Sequence, residues 1–147
     1  MKYPSAVAVI IALSGPAHAD AHLGAGDPEA GAKAFRQCIS CHVVENADGE
    51  KLAGKNGKTG PNLFGVVGRQ AGTFEGFRYK KHIIAAGEAG LVWNAENLAA
   101  YLQHPTKFLR KELDDRSAMS GMAFRVRKEE TAADLAAFLA TFSEPES

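Results

Sequence analysis

The chain has 147 residues, 17 of them basic and 17 acidic, giving a formal net charge of zero with 46% hydrophobic residues. That length supports one domain with a useful core rather than two. No basic excess and no Gly-rich phosphate loop invite nucleic acid, and no apolar stretch beyond the N-terminal run is long enough to cross a membrane.

The N-terminus reads as an export signal. Lys2 precedes the apolar run "AVAVIIAL", followed by Ser14, Gly15, Pro16 and the small-residue stretch "AHADAH". Cleavage is expected after Ala19, with Ala21 as the alternative, leaving a mature domain over 20–147 with net charge −1. The run is short for a membrane anchor, and Pro16 would break a soluble helix.

Asp27 has the character of an N-cap, with Pro28 at the first helical position and Glu29 in the first turn. The first helix is predicted from Pro28 to about Cys38, with Gly31 and Phe35 on one face. A glycine inside a helix costs about 1 kcal/mol relative to alanine, so close approach of another element is expected at Gly31. From Val43 to Gly72 the helical period dissolves into a glycine-rich loop. A loop of that length inside a small domain is expected to bind something. Within it, Pro61 fixes a turn and leaves its carbonyl free to accept from a ring nitrogen of His42.

A second helix is predicted from Phe74 or Glu75 to Gly87, with Tyr79, Ile83 and Ile84 as its apolar stripe. Asn94 caps a third, with Leu98, Tyr101 and Leu102 facing inward and Pro105 ending or restarting it. A short helical turn passes through Phe108. The last helix is expected over Lys128–Phe142, and its Ala132 and Ala136 are small enough for a crossing with Gly31.

"CISCH", residues 38–42, contains both cysteines. A disulfide-exchange pair would open a helix after a strand, and this chain offers almost no strand candidates. A zinc site wants four ligands, but there is no second cysteine pair, and His82 and His104 match no compact spacing. Covalent haem attachment uses all three side chains: Cys38 and Cys41 form thioethers and His42 ligates the iron. For the sixth position the residues alone leave Met122, Met119, His82, His104 or an open site. "SAMSGMAF" is a poor place to hide a thioether as core filling.

The order of these motifs resembles the class I cytochromes c, the family of mitochondrial cytochrome c and bacterial cytochrome c2. "GDPEAGAKAFRQCISCH" is similar to the family's first helix and haem motif, "KTGPNLFGVVGR" to the segment that orients the ligand histidine, and "GLVWNAENLAAYLQHPTKF" and "SGMAF" to later segments. The resemblance implies an all-α fold of three to five helices wrapped around one covalently bound haem c. It implies Pro61 as the orienter of His42, Arg69 near a propionate, Tyr79 and Trp93 as propionate contacts, Tyr101 beside the axial methionine, and Met122 as that methionine. The longer stretches "DGEKLAGKN" and "LRKELDDRSAMS" depart from mitochondrial members and resemble large bacterial cytochromes c2.

The implied function is one-electron transfer in the periplasm by a monomer that is not an enzyme. Its implied partners are membrane redox complexes: a quinol-oxidising cytochrome complex as donor, and a photosynthetic reaction centre or terminal oxidase as acceptor. A haem peroxidase or a gas-binding sensor is the alternative if the sixth position is open. Residues 78–128 carry ten basic and five acidic side chains, whereas 129–147 carry five acids and no base. Docking is therefore expected through Arg36, Lys107, Arg110, Lys111, Arg125, Arg127 and Lys128.

Overall fold

Asp27 opens the first helix through its carboxylate, which accepts from the Glu29 amide at 2.8 Å; Pro28 fills the position where no donor is needed. In the computed structural model, which describes residues 25–143, α1 spans Pro28–Ala34 and tightens into a 3-10 turn over Phe35–Gln37. The expected export signal lies outside the described residues. So the first helix ends as a tighter coil that delivers Cys38 out of the helical register.

The predicted long loop is partly ordered into a hairpin. Strands β1 (Val43–Glu45) and β2 (Lys51–Gly54) pair antiparallel, with an irregularity between Val44 and Glu45. Asn46 makes the turn: its side-chain oxygen accepts from the amides of Asp48 at 3.1 Å and Glu50 at 2.9 Å, and Gly49 takes φ +79°. The "DGEKLAGKN" stretch is thus a short hairpin rather than structureless chain. Its strands are too short to show a period of two.

Helix α2 runs from Lys81 to Glu88, so the predicted start at Phe74 or Glu75 is six or seven residues early. Gly76 adopts φ +80°, a left-handed conformation that interrupts a right-handed helix. Tyr79 therefore lies in extended chain before α2. Of the expected stripe, Ile83 is buried and Ile84 is exposed.

Helix α3 (Ala95–Gln103) begins where Asn94 predicts, and the cap is reciprocal: Asn94 and Asn97 side chains each accept from the other's amide at 2.8 and 2.9 Å. Pro105 ends it and opens α4 (Pro105–Glu112), longer than the single turn expected around Phe108. Helix α5 covers Glu129–Ala140, two residues short of its predicted C-terminus and one of its N-terminus.

Helix α5 packs against α1 and α3. At the crossing with α1, a Cβ on Gly31 would stand 2.7 Å from the Phe138 Cβ and closer still to the Asp134 carbonyl oxygen. The Asp27 amide also donates to the Asp134 carboxylate at 2.8 Å, and the Phe35 and Phe138 rings lie 5.5 Å apart. The predicted glycine crossing is present, but its partners differ from expectation. Ala132 and Ala136 are fully buried on another side of α5, because two residues turn a helix by about 200°.

Gly31→Ala is expected to destabilise the protein by about 3 kcal/mol, since the added methyl meets backbone that cannot yield. Ala32→Ser, at the exposed neighbouring position, should change stability by less than about 0.5 kcal/mol in the same denaturant titration.

Candidate functional site

The Cys38–His42 segment is one tight turn. Amides of Cys41 and His42 both donate to the Cys38 carbonyl, at 3.1 and 2.9 Å. Both thiols are free and half-buried. Burial, with Cys41 beside it, pushes the Cys38 thiol up to about 11. A disulfide-exchange pair needs the opposite shift, because thiolate is the attacking species. Nor do three His, Cys, Asp or Glu side chains come together as a metal-ion site among the described residues, which leaves the zinc reading without donors.

His42 is buried and its ring is fixed from two sides. Nδ1 stands 2.8 Å from the Pro61 carbonyl oxygen, as the fixed turn at Pro61 predicts. Gly60 lies flat against the imidazole: a Cβ there would come within 2.6 Å of both ring nitrogens. Burial lowers the imidazole's affinity for a proton, with the Pro61 bond opposing, so the ring is neutral at physiological pH. Nδ1–H donates to the carbonyl, and Nε2 makes no hydrogen bond among the described residues. That is the tautomer a metal-binding histidine needs, with its lone pair on the outer nitrogen.

Asn62 holds this loop in place. Its Oδ1 accepts from the amides of Glu45 and Phe64, each at 3.0 Å, and its Nδ2 donates to the Glu45 carbonyl at 2.7 Å. The Pro61 carbonyl is thereby tied to strand β1, which follows directly from His42. Sequence reasoning passed over Asn62; its place directly after Pro61 was the available signal.

Arg69, Tyr79 and Trp93 form a second group. The Arg69 guanidinium donates to the carbonyls of Phe64 at 2.9 Å and Asn62 at 3.1 Å, and lies 4.9 Å from the Phe74 ring centroid. No carboxylate lies within ion-pair distance of it among the described residues. Burial lowers its pKa, and the neighbouring Tyr79 opposes that shift. Tyr79 packs edge-on against Phe77 at 4.8 Å, and burial raises its phenol while Arg69 and the Phe74 backbone pull it down. Backbone pairing joins Trp93 to this loop, its amide donating to the Arg69 carbonyl at 3.0 Å.

Trp93 is buried in an aromatic cluster, 5.0 Å from Tyr101 and 5.9 Å from Phe108. Tyr101 leads to the third group. Its hydroxyl shares a 2.7 Å hydrogen bond with Ser120 Oγ, which also accepts from the Met122 amide at 3.0 Å. Ser120 itself was missed in the sequence. Met122 packs against the core, whereas Met119 is 60% exposed. Of the two histidines, His82 is engaged by the backbone of Met119, and His104 is exposed with Arg125 at 3.4 Å.

A haem suits this arrangement. Two free thiols share a turn with a neutral imidazole of the right tautomer, and a half-buried guanidinium has no carboxylate partner among the described residues. Leu63, Phe64, Val67, Tyr79, Tyr101 and Met122 supply partly buried apolar surface at the core's edge. Fold and site define a small helical protein whose two cysteines lie in a C-x-x-C-H turn, the pattern of c-type haem attachment.

No family model matches the chain. It is 53% identical over 116 residues to cytochrome c2 of Rhodovulum adriaticum, covering 79% of this chain and 92% of that protein. Cytochrome c-551 of Roseobacter denitrificans is 52% identical over 118 residues, covering 80% and 82%. Among solved structures, cytochrome c2 from Rhodobacter sphaeroides superposes with a TM-score of 0.79 at 48% identity, covering 82% of this chain and 99% of that one. The chain belongs to the class I cytochrome c family.

Asn62→Ala removes three hydrogen bonds at once and is expected to cost about 2 kcal/mol of stability, read from denaturant unfolding.

Proposed function

We propose that the protein is a periplasmic one-electron carrier that binds one haem c covalently through Cys38 and Cys41, with His42 and Met122 as axial ligands. The observation that carries the reading is the seat of His42, whose ring is fixed by Pro61 and Gly60 with Nε2 left for iron. When bound, haem supplies a reversible Fe(III)/Fe(II) couple, and no bond in a substrate is made.

The chain's own residues explain why such a site would exchange electrons quickly. His42 is held before any ligand arrives, and the Met122 backbone is held by Ser120 and Tyr101. Ligands that are already in place move little when the charge on the metal changes. A thioether donor raises the potential relative to a second imidazole. Arg69 is the counter-charge for a propionate, with Tyr79 and Trp93 as neighbouring donors; an uncompensated buried carboxylate would be costly. The exposed side chain of Met119 favours Met122 as the donor.

The N-terminal stretch through Ala19 or Ala21 reads as a signal that sends the chain to the periplasm, leaving residues 20–147 as the working domain. Among the described residues no helix is long and apolar enough to cross a membrane. The carrier is taken to act as a monomer between a quinol-oxidising cytochrome complex and a reaction centre or terminal oxidase. Arg125, Arg127 and Lys128 line a shallow depression of about 430 Å³ together with Gln37 and Phe124, an exposed aromatic within a basic rim. Arg110 is partly committed elsewhere, its Nε donating to the Ala118 carbonyl at 3.1 Å. Of the seven bases expected at the docking face, these three C-terminal ones are the best placed together.

Two measurements test the reading. Met122→Leu is expected to abolish the weak red-edge absorption band of methionine-ligated ferric haem and to lower the reduction potential, while Met119→Leu leaves both unchanged; the reverse pattern would overturn the assignment. Raising ionic strength from about 10 mM to about 150 mM should slow the bimolecular reaction with a membrane redox partner, because screening shortens the reach of the basic rim.

A further inference from the structure

The insertion between α4 and Met122 is fastened to the rest of the protein at successive residues. Leu113 closes α4, and Asp114, at φ 47°, turns the chain out of the helix. Ala118 is fully buried, and its carbonyl accepts from Arg110. The Ser120 amide donates to Thr106 Oγ1 at 3.2 Å. Those contacts come from α4, the helix that leads into the insertion.

A contact of a different kind comes from α2. His82 Nδ1 lies 3.1 Å from the Met119 amide nitrogen and 3.3 Å from the Met119 carbonyl oxygen. The shorter contact is the amide donating to Nδ1, which puts the neutral ring's proton on Nε2. Nε2 faces Asp115 Oδ2 at 3.9 Å, and Asp115 is oriented for this because Ser117 donates to its other oxygen twice, from amide and hydroxyl, each at 2.7 Å. The His82 side chain is only 14% exposed, although Asp115 opposite it is 41% exposed. The same end of α2 presses on the chain again beyond Met119: a Cβ on Gly121 would stand 2.9 Å from Lys80 Cγ.

We infer that His82 is a positioning residue that pins the insertion to α2 and decides which of the two thioethers faces the haem. The inference rests on the assignment of Met122 as the axial donor. Met119 and Met122 are three residues apart, close enough for a slip of the loop to exchange them. With its backbone N–H held by His82 Nδ1, Met119 turns its side chain to solvent, and Met122 is presented inward. Loss of the grip frees the loop to lift, which opens the sixth position to an outside ligand.

The test uses the ferric holoprotein with imidazole as the probe, alongside hydrogen exchange at the Met119 amide. His82→Ala is expected to raise the rate of imidazole entry about tenfold, the effect of losing one hydrogen bond, and to speed Met119 amide exchange by a similar factor. His82→Asn, whose side-chain oxygen can accept from the same amide, should restore most of both. Unchanged imidazole entry and amide exchange in His82→Ala would overturn the pin, as would an Asn variant no better than Ala. Absence of the methionine band from the unsubstituted protein would instead overturn the ligand assignment, and this inference with it, so the two failures are told apart.

Discussion

A single hydrogen bond sets the terms for the site: His42 Nδ1 to the Pro61 carbonyl oxygen, 2.8 Å long and largely out of water. It decides the tautomer, holds the plane of the ring and keeps Nε2 available. Proline is suited to supply the acceptor because its fixed φ stiffens the turn and its missing N–H leaves one fewer backbone donor to satisfy. Glycine at position 60 is required by the same contact, since any side chain there would run into the imidazole. Burial and the bond act together: burial keeps the ring neutral, and the bond keeps a neutral ring oriented.

The rest of the fold serves to bring distant loops to that ring. Asn62 ties the Pro61 turn to β1, and the Arg69 guanidinium reaches back to the Asn62 carbonyl, linking the histidine loop to Tyr79 and Trp93. Trp93 packs tilted against Tyr101, and Tyr101 reaches Ser120 beside Met122. A continuous path of hydrogen bonds and aromatic contacts thus joins the His42 loop to the Met122 loop. Helices α1, α3 and α5 form the frame on which these loops hang, with the Gly31 crossing as its tightest joint. A rigid frame with His42 and the Met122 backbone already held is what a one-electron carrier needs if it is to change charge with little structural response.

Much of this was legible from residue types alone. The caps at Asp27 and Asn94 were readable because they are local: one side chain satisfies amides two or three positions ahead. The C-x-x-C-H turn was readable because its three reactive groups lie within five residues of chain. The start of α2 was misjudged because periodicity around Tyr79 outweighed Gly76, whose positive φ breaks the helix. The hairpin over 43–54 was passed over because strands of three and four residues carry too little pattern, although Asn46 and Gly49 marked its turn. The partners of Gly31 were misplaced by two residues, since small size made Ala132 and Ala136 attractive while the actual approach is to backbone at Asp134.

The amino-acid sequence by itself determined the helical class and placed both cysteines in a c-type haem attachment motif, because both are written in neighbouring residues whose spacing is set by covalent geometry. Only the tertiary structure decided which methionine turns inward, what holds the His42 and Met122 loops, and which bases share a surface. Those outcomes depend on contacts between residues 37 positions apart at His82 and Met119, or 107 apart at Asp27 and Asp134. Local pattern has no access to such distances; packing does, because a side chain can turn inward only where the surrounding elements leave it room.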